Sequence, residues 1–206
     1  MDILNIIRYV KQSGKSYSGK HLDIGYHSIE LDGTYYRGQR DCVKRLEYCK
    51  QHYDFKDKNL LDIGCCIGGM SFPLSSTIKT ACGIDFNHRN INAGNAIKQY
   101  KKIDNISFYV FDLDKEDLEL IKSFMPTIDV VFLYSICMWI TKWRELIDFI
   151  SLNSKVLFIE TNGTNKQQLE QLEYCKLKFK HVKNLYEKSL DDKGQHKRKL
   201  YMCTNE

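Results

Sequence analysis

Three aspartates stand at or near the ends of short apolar runs, and they are the residues that first suggest chemistry. Asp62 lies in "NLLDIGCCIGG", Asp85 in "TACGIDF" and Asp112 in "ISFYVFD". If the runs are neighbouring parallel strands, these carboxylates meet at the edge of the sheet where ligands of such folds bind. A carboxylate there can accept hydrogen bonds from ribose hydroxyls or from an adenine amino group. The pattern predicts a nucleoside site, with the ribose on Asp85 and the base beside Asp112 and Leu113.

A glycine-rich turn follows the first apolar run. Gly64 ends that run, and Gly68-Gly69 stand where a helix is expected to begin. A turn without Cβ atoms lets a ligand lie against backbone N–H groups, although close packing of strand and helix would require the same residues. A dinucleotide site would favour glycine at Cys66, and a P-loop would add a lysine. The turn favours a nucleoside with a small polar tail; S-adenosylmethionine fits, with its tail against Gly64 and Cys65.

The elements that must position these residues alternate between strands and helices. Continuous apolar runs are typical of parallel strands covered on both faces; they are "NLLDI", "TACGIDF", "ISFYVFD", "IDVVFLYS" and "KVLFIET". Helical spacings of apolar residues lie between them, in "HRNINAGNAIKQYKKI" and "KWRELIDFIS". This order predicts an α/β, doubly wound, mostly parallel seven-stranded sheet of the Rossmann-like type.

The two ends of the chain have a different pattern. "FKHVKNLYEKS", a polar turn "LDDKGQH" and "KRKLYMCTN" predict an antiparallel hairpin at one edge of the sheet. Near the start, "HSIELDGTYYRGQRD" predicts a short hairpin or lid, and "DCVKRLEYCKQHY" a helix with Val43, Leu46 and Tyr53 on one face. We therefore expect residues 1–55 to form a lid or helical appendage and residues 56–206 to form one compact domain.

Composition narrows the class of protein. The chain has 206 residues and a net charge of +5. It contains no run of about 18 apolar residues, so the sequence predicts no membrane span. The eight cysteines form no C-x-x-C pair and predict reduced thiols in a cytoplasmic protein without a metal site. Between Lys178 and Lys199, basic residues outnumber acidic ones eight to three. That segment either faces an anionic substrate or is a solvated hairpin.

The motifs resemble a known superfamily. "LLDIGCCIGG", "GIDF", "FDLD" and "IDVVFLYS", in this order, resemble motifs I to IV of the class I S-adenosylmethionine-dependent methyltransferases. The flanking stretches "GQRDCVKRLEY", "GIDFNHRNIN" and "RKLYMCTN" are similar to the methyltransferase half of the bifunctional kinase–methyltransferases that cap bacterial O-antigens. A looser likeness is to the enzymes that carboxymethylate the wobble uridine of tRNA.

This resemblance implies a set of residues that contact the cofactor: Arg40, Gly64, Cys65, Gly68, Asp85, Phe86, Asp112, Leu113, Tyr134 and Ser135. The implied roles follow the parts of the cofactor. Gly64, Cys65 and Gly68 would line the methionine moiety, and Arg40 would reach its carboxylate or instead be a surface arginine at a helix start.

The implied roles of the remaining residues concern the adenosine and the sulfonium. Asp85 would hold the ribose, Phe86 would stack on the adenine, and Asp112 would bind the adenine amino group. Tyr134 and Ser135 would flank the sulfonium. The O-antigen enzymes carry a histidine pair just after motif IV, where this chain reads "CMWIT" and offers no obvious base.

Candidates for acid–base chemistry and for acceptor contacts lie elsewhere. A hydroxyl acceptor benefits from a general base, and the candidates are Glu160, in "FIETNG", and His27, if the N-terminal segment folds over the site. Each has an ordinary alternative, an ion pair for Glu160 and a surface position for His27. Trp139 and Trp143 flank the expected acceptor side, and helix packing is the favoured role of Trp143.

Three functions are consistent with the sequence. The first is O-methylation of a sugar in a glycan or glycan precursor, with or without a phosphate group. The second is modification of tRNA or another nucleic acid, favoured by the basic segment. The third is a catalytically silent methyltransferase fold that serves as a binding subunit.

Overall fold

The computed structural model describes residues 2–11, 22–189 and 198–205, so the predicted polar turn "LDDKGQH" lies outside the described residues. The strands, in chain order, are β1 (Ile29–Leu31), β2 (Thr34–Tyr36), β3 (Asn59–Ile63), β4 (Thr80–Asp85), β5 (Ile106–Val110), β6 (Val130–Tyr134), β7 (Val156–Glu160), β8 (His181–Tyr186) and β9 (Leu200–Thr204). The α-helices are α1 (Ile3–Lys11), α2 (Cys42–Lys50), α3 (His88–Lys101), α4 (Ile121–Phe124), α5 (Trp143–Asn153) and α6 (Asn165–Lys178).

Seven strands form the main sheet, in the order β5-β4-β3-β6-β7-β9-β8. The five strands from β5 to β7 are parallel, and β9 runs antiparallel to both of its neighbours. The chain reverses its direction across the sheet between β3 and β6, which places the topological switch point there. The predicted fold class is confirmed, including the antiparallel C-terminal pair.

The core is divided between the two faces of this sheet. One cluster of buried apolar residues includes Leu60 of β3 and the inward faces of α1, α2 and α3, and the other includes Leu61 of β3 and the inward face of α5. Successive residues of a strand point to opposite faces, so a strand buried on both sides must be apolar throughout. This requirement is why the continuous runs predicted the strands correctly.

The N-terminal elements pack into the first of these clusters. β1 and β2 form the expected hairpin, and its turn residues Asp32 and Gly33 have φ of 52° and 73°, as a tight hairpin turn requires. The buried residues of α2 are Cys42, Arg45, Leu46 and Cys49, whereas Val43 is exposed. The sequence-based face of α2 was therefore right for Leu46 and wrong for Val43, and Tyr53 lies beyond the end of the helix at Lys50. The division of the chain at residue 55 stays a prediction.

In the part of the chain that is described, no helix has both the length and the apolar character needed to cross a membrane.

Candidate active site

A cavity of about 680 Å³ opens at the carboxyl ends of β3 to β6. Its volume lies in the range of pockets for small molecules. The predicted cofactor residues in its wall are Gly64, Asp85, Phe86, Asp112, Leu113, Tyr134 and Ser135. The wall also contains Val10, Tyr26, Cys66, Ile84, Asn87, Asn90, Phe111, Asp114, Lys115, Ile136, Trp139 and Ile140.

Asp85 has the geometry expected of a ribose-binding carboxylate. Its two carboxylate oxygens accept hydrogen bonds from the backbone N–H groups of Cys66, at 2.9 Å, and Asn87, at 2.8 Å. Each oxygen has a second lone pair, so acceptor capacity remains toward the cavity. Burial raises the pKa of Asp85, and these N–H bonds oppose the increase. Cys66 adopts φ of 52°, so a non-glycine residue occupies a left-handed conformation in this turn.

The two glycines of the turn differ in their position relative to the cavity. Gly64, with φ of 72°, lies in the cavity wall, and a Cβ atom at its position would lie 2.9 Å from Cγ2 of Ile136. Gly68 is absent from the wall, and a Cβ atom at its position would lie 2.4 Å from Cζ of Phe108. Cys65 is fully buried and is also absent from the wall. The prediction that Cys65 and Gly68 contact the cofactor is corrected: close packing keeps the backbone bare at Gly68.

Asp62 is also separated from the cavity. Its carboxylate accepts a 2.6 Å hydrogen bond from the Ser71 hydroxyl and is 3% exposed. Burial raises the pKa of Asp62 to about 6, although the Ser71 bond and the charge of Arg45 oppose the increase. Of the three strand-end aspartates, Asp85 and Asp112 therefore reach the site and Asp62 supports the turn beneath it.

The base end of the cavity is formed by residues after β4 and β5. Phe86 is 73% exposed at the mouth. The Asp112 carboxylate pairs with the Lys115 ammonium at 2.8 Å, and a hydrogen bond from that ammonium lowers its pKa. Leu113 is partly buried beside them. These positions agree with the predicted adenine contacts of Phe86, Asp112 and Leu113, which remain predictions.

Tyr134 and Ser135 form the opposite wall, where β6 ends. Ser135 has φ of 60°, and its backbone N–H donates to the carbonyl of Glu160 at 2.9 Å. Its hydroxyl donates to the Glu160 carboxylate. The Tyr134 hydroxyl lies 2.8 Å from the Cys49 sulfur, and burial raises the pKa of Tyr134 well above its ordinary value. Both side chains are therefore fixed from behind, away from the cavity.

Glu160 is not the general base that the sequence suggested. It is fully buried, and Nη2 of Arg40 lies 2.9 and 2.8 Å from its two oxygens. Nη2 of Arg45 is 3.4 Å away, and the Tyr186 hydroxyl donates to the same carboxylate. Burial opposes ionisation of Glu160, but the charges of Arg45 and Arg40 prevail and lower its pKa to about 2. A carboxylate this acidic and enclosed is a poor proton acceptor.

Arg40 and His27 are likewise held behind the cavity. Arg40 is fully buried and also donates to the Ser189 hydroxyl at 3.0 Å, so the predicted contact with the cofactor carboxylate is corrected to an internal ion pair with Glu160. His27 is 4% exposed, stacks on Tyr26 and is absent from the wall. Tyr26 itself lines the cavity, so the N-terminal segment does reach the site, but with a different residue from the one predicted.

Sequence reasoning missed several residues of the wall. Asn87 and Asn90 stand at the start of α3, directly after the strand that ends at Asp85, and this position could have indicated them. Val10 and Tyr26 come from the N-terminal segment, which had no signal of its own. In the described ranges no group of His, Cys, Asp and Glu residues has the arrangement of a metal site.

Comparison with known proteins defines the class. Residues 54–194 match the family model of a methyltransferase domain, so the chain belongs to that family. The residues present fit the cofactor, because Asp85, Gly64 and the exposed Phe86 line a single cavity of suitable size. This domain is that of an S-adenosylmethionine-dependent methyltransferase, as predicted.

Two curated relatives share shorter stretches. The O-antigen chain terminator bifunctional methyltransferase/kinase WbdD of Escherichia coli is 38% identical over 76 residues, which are 34% of this chain and 10% of that protein. The 23S rRNA (uracil(1939)-C(5))-methyltransferase RlmD of Haemophilus parainfluenzae is 33% identical over 60 residues, 29% of this chain and 14% of that protein. The aligned stretches thus span only a small part of either relative.

Solved structures extend the similarity of fold. A crystal structure of WbdD matches with a TM-score of 0.65 and 21% identity, covering 82% of this chain and 41% of that one. The N-terminal domain of EvdMO1 with SAH bound matches with a TM-score of 0.71 and 12% identity, covering 99% and 97% of the two chains. At these identities the likeness concerns the fold.

Proposed function

We propose that this enzyme transfers a methyl group from S-adenosylmethionine to a hydroxyl group of a sugar, in a glycan or a glycan precursor, in the cytoplasm. The observation that carries the proposal is the charge of the cavity wall, which contains Asp85, Asp112 and Asp114 but, among its described residues, a single basic one, Lys115. An acidic wall favours a cofactor with a positive sulfonium and a neutral acceptor. Among the described residues of the wall there is no basic cluster of the kind that binds the phosphates of a polyanion such as RNA.

The basic segment near the C-terminus supports the same choice. Lys178 pairs with Asp148, Lys199 with Glu187, and Arg198 lies 3.8 Å from Glu160. These charges are thus partly compensated within the fold. These pairs support the solvated-hairpin alternative for the described part of the segment, and a phosphate group on the acceptor would need to lie outside the acidic wall.

The names of the relatives are consistent with a sugar acceptor. WbdD is described as an O-antigen chain terminator, and a structure of the EvdMO1 N-terminal domain was obtained in the presence of SAH and D-fucose. The second candidate, nucleic-acid modification, is favoured by the match to RlmD.

The proposed chemistry depends mainly on alignment. The cofactor would supply a methyl group already activated by its sulfonium, so the protein needs to place the acceptor oxygen in line with it. In the overall reaction the hydroxyl would exchange its proton for the methyl group, S-adenosylhomocysteine would be released, and the proton would pass to solvent. Asp85 would hold the ribose, and Gly64 would admit the methionine tail against the backbone. Tyr134 and Ser135, fixed through Cys49 and Glu160, would form the wall beside the sulfonium and exclude water there.

The experiment that tests this function has two stages. Calorimetric titration with S-adenosylhomocysteine, beside NAD and ATP, should show selective micromolar binding. The Asp85→Ala variant should lose that binding, whereas Asp104→Ala, which removes an exposed aspartate outside the cavity, should retain it. Transfer of a labelled methyl group is then measured with a panel of methyl glycosides and with bulk tRNA.

The outcomes separate the three functions. Label on a glycoside, lost in Asp85→Ala, supports the proposal. Label on tRNA alone overturns the sugar acceptor in favour of the second candidate. Selective cofactor binding without transfer to any acceptor favours a silent fold, and no cofactor binding by the folded protein contradicts the cofactor site itself.

A further inference from the structure

Trp139 is an exposed aromatic residue in the wall of the cavity. Its side chain is 73% exposed, and it lies in a short 3-10 turn, Cys137–Trp139, directly after β6. Trp143, four residues later, is in a different environment: its ring packs edge-on against Tyr174 at 5.5 Å, and the Arg144 guanidinium covers it at 4.2 Å. The favoured packing role of Trp143 is thus consistent with the structure, and Trp139 has no comparable contact in the part of the chain that is described.

The loop that carries Trp139 is fixed on its inner side by a buried asparagine. The Met138 backbone N–H donates to Oδ1 of Asn162 at 3.0 Å, and Nδ2 of Asn162 donates to the carbonyl of Ser135 at 2.6 Å. Asn162 is fully buried, and its own backbone N–H and carbonyl bond to the Gln171 side chain at 3.1 and 3.0 Å. Buried, fully bonded amide pairs of this kind hold a single geometry.

The same loop is fixed on its outer side by an aspartate from another loop. Oδ1 of Asp114, which follows β5, accepts hydrogen bonds from the backbone N–H groups of Thr141, at 2.8 Å, and Lys142, at 3.2 Å. Trp139 therefore stands between two anchored points, one residue after Met138 and two residues before Thr141. The backbone on both sides of the exposed ring is thus fixed, which lowers the cost of ordering this loop when a partner binds.

Trp139 follows a different strand from the residues that are predicted to contact the adenosine. Asp85 and Phe86 follow β4, and Trp139 follows β6; both strands neighbour β3, so their ends are roughly 10 Å apart. The two sets of residues therefore flank the cavity from opposite sides of the switch point. With the nucleoside on the β4 and β5 side, the β6 side is left for the acceptor.

We propose that Trp139 recognises the acceptor by stacking its indole ring on the apolar C–H face of a sugar ring, and that Asp114 and Asn162 are positioning residues for it. This inference rests on the proposed function and names the residue that determines its acceptor. Tryptophan offers a large rigid surface with few rotatable bonds, and it is enriched among residues that dominate binding. A nucleobase would also stack on Trp139, and the titration below distinguishes a sugar from a base.

The chain contains only two tryptophans, which provides a direct assay. In a Trp143→Phe background Trp139 is the single tryptophan, and its fluorescence reports its own surroundings. The protein is saturated with S-adenosylhomocysteine and titrated with D-fucose, with methyl glycosides of glucose and galactose, and with uridine 5′-monophosphate. A sugar that covers the indole should shift its emission to shorter wavelength, because the ring leaves water.

Kinetics of methyl transfer then test specificity, with the glycoside that accepts the most label. Trp139→Ala should raise the KM for the glycoside by about tenfold or more, while the affinity for S-adenosylhomocysteine changes less than about threefold. Trp139→Phe should have an intermediate KM, and Trp143→Phe should match the wild type. Asp114→Ala should raise the KM for the glycoside with little change in kcat, and Asp114→Asn, which keeps an acceptor oxygen, should restore much of the loss.

Several results would overturn this inference without touching the proposed function. If Trp139→Ala weakens cofactor binding as much as glycoside binding, Trp139 belongs to the cofactor site. If the glycoside KM is unchanged in that variant, the acceptor is recognised elsewhere. If uridine 5′-monophosphate alone shifts the emission, the platform binds a base. By contrast, a wild-type protein that fails to bind S-adenosylhomocysteine contradicts the proposed function first.

Discussion

Replacement of Glu160 by glutamine should destabilise the fold by about 3 kcal/mol at pH 7. The carboxylate pKa is about 2 in the folded protein, compared with an ordinary value of 4.5. Each pKa unit corresponds to about 1.4 kcal/mol of preference for the charged form, so a difference of roughly 2.5 units corresponds to about 3 kcal/mol. The loss of one partner from a buried ion pair has a similar cost, about 3–5 kcal/mol.

The destabilisation should depend on pH in a defined direction. A carboxyl group whose pKa is depressed on folding contributes stability above its unfolded pKa, and this contribution is lost as the pH falls toward the folded pKa. For Glu160 the loss begins near pH 4.5 and continues toward pH 2. At pH 4 the difference between wild type and Glu160→Gln should already be smaller by about 1 kcal/mol than at pH 7.

Urea-induced unfolding, followed by circular dichroism at pH 7 and pH 4, measures both effects. The control is Glu119→Gln, which removes the same charge from an exposed pair with Lys122. Such surface pairs contribute little, so the control should match the wild type at both pH values. A Glu160→Gln variant that loses less than about 1 kcal/mol, or whose loss is the same at both pH values, would refute the ion-pair account.

Three further predictions concern the supports of the site. Asp62→Asn should gain about 2 kcal/mol relative to wild type between pH 4 and pH 7 in urea unfolding, because the buried Asp62, with a pKa of about 6, must lose its proton over this range. Parallel pH profiles of the two proteins would contradict this. Gly68→Ala should lower the free energy of unfolding by about 1–3 kcal/mol more than Gly33→Ala, because both positions have positive φ but only a Cβ atom at Gly68 meets Phe108. Equal losses of stability in the two variants would contradict the packing role of Gly68. All eight cysteines are buried, and burial raises the pKa of several thiols, so a thiol-specific chromophore should label none in the native protein and all after unfolding. Rapid labelling of one thiol in the native protein would disprove this prediction.

The sequence predicted the sheet well because burial on both faces restricts composition. A central parallel strand has no polar face, so its apolar run is visible without any knowledge of its neighbours. The position of Asp85 at the cavity was predictable for a related reason: it ends such a run, at the edge of the sheet where ligands of this fold bind. The helix α2 was predicted less well, because its buried face includes Arg45, whose charge hides the period of its apolar residues.

The roles of Glu160, Arg40 and Gly68 were not predictable from local pattern. Glu160 and Arg40 are 120 positions apart in the chain, and a strand-end glutamate has the same appearance whether it pairs with an arginine or accepts a proton. The glycine at position 68 had two possible explanations, because a bound ligand and the Phe108 ring would each exclude a Cβ atom. Trp139 and Trp143 differ only in what the fold brings beside them.

The placement of β9 between β7 and β8 has a consequence for how the protein is made. β8 leaves the ribosome before β9, but among the described strands β9 is its only neighbour, and β9 is itself paired with β7. A nascent chain can therefore complete the five parallel strands first. The edge of β7 then stays unpaired until residues 200–204 have emerged. Arg198, beside Glu160, arrives in the same step. A chain interrupted before residue 200 would lack the pairing of two strands rather than one, and such products should be found with chaperones or proteases instead of accumulating as folded enzyme.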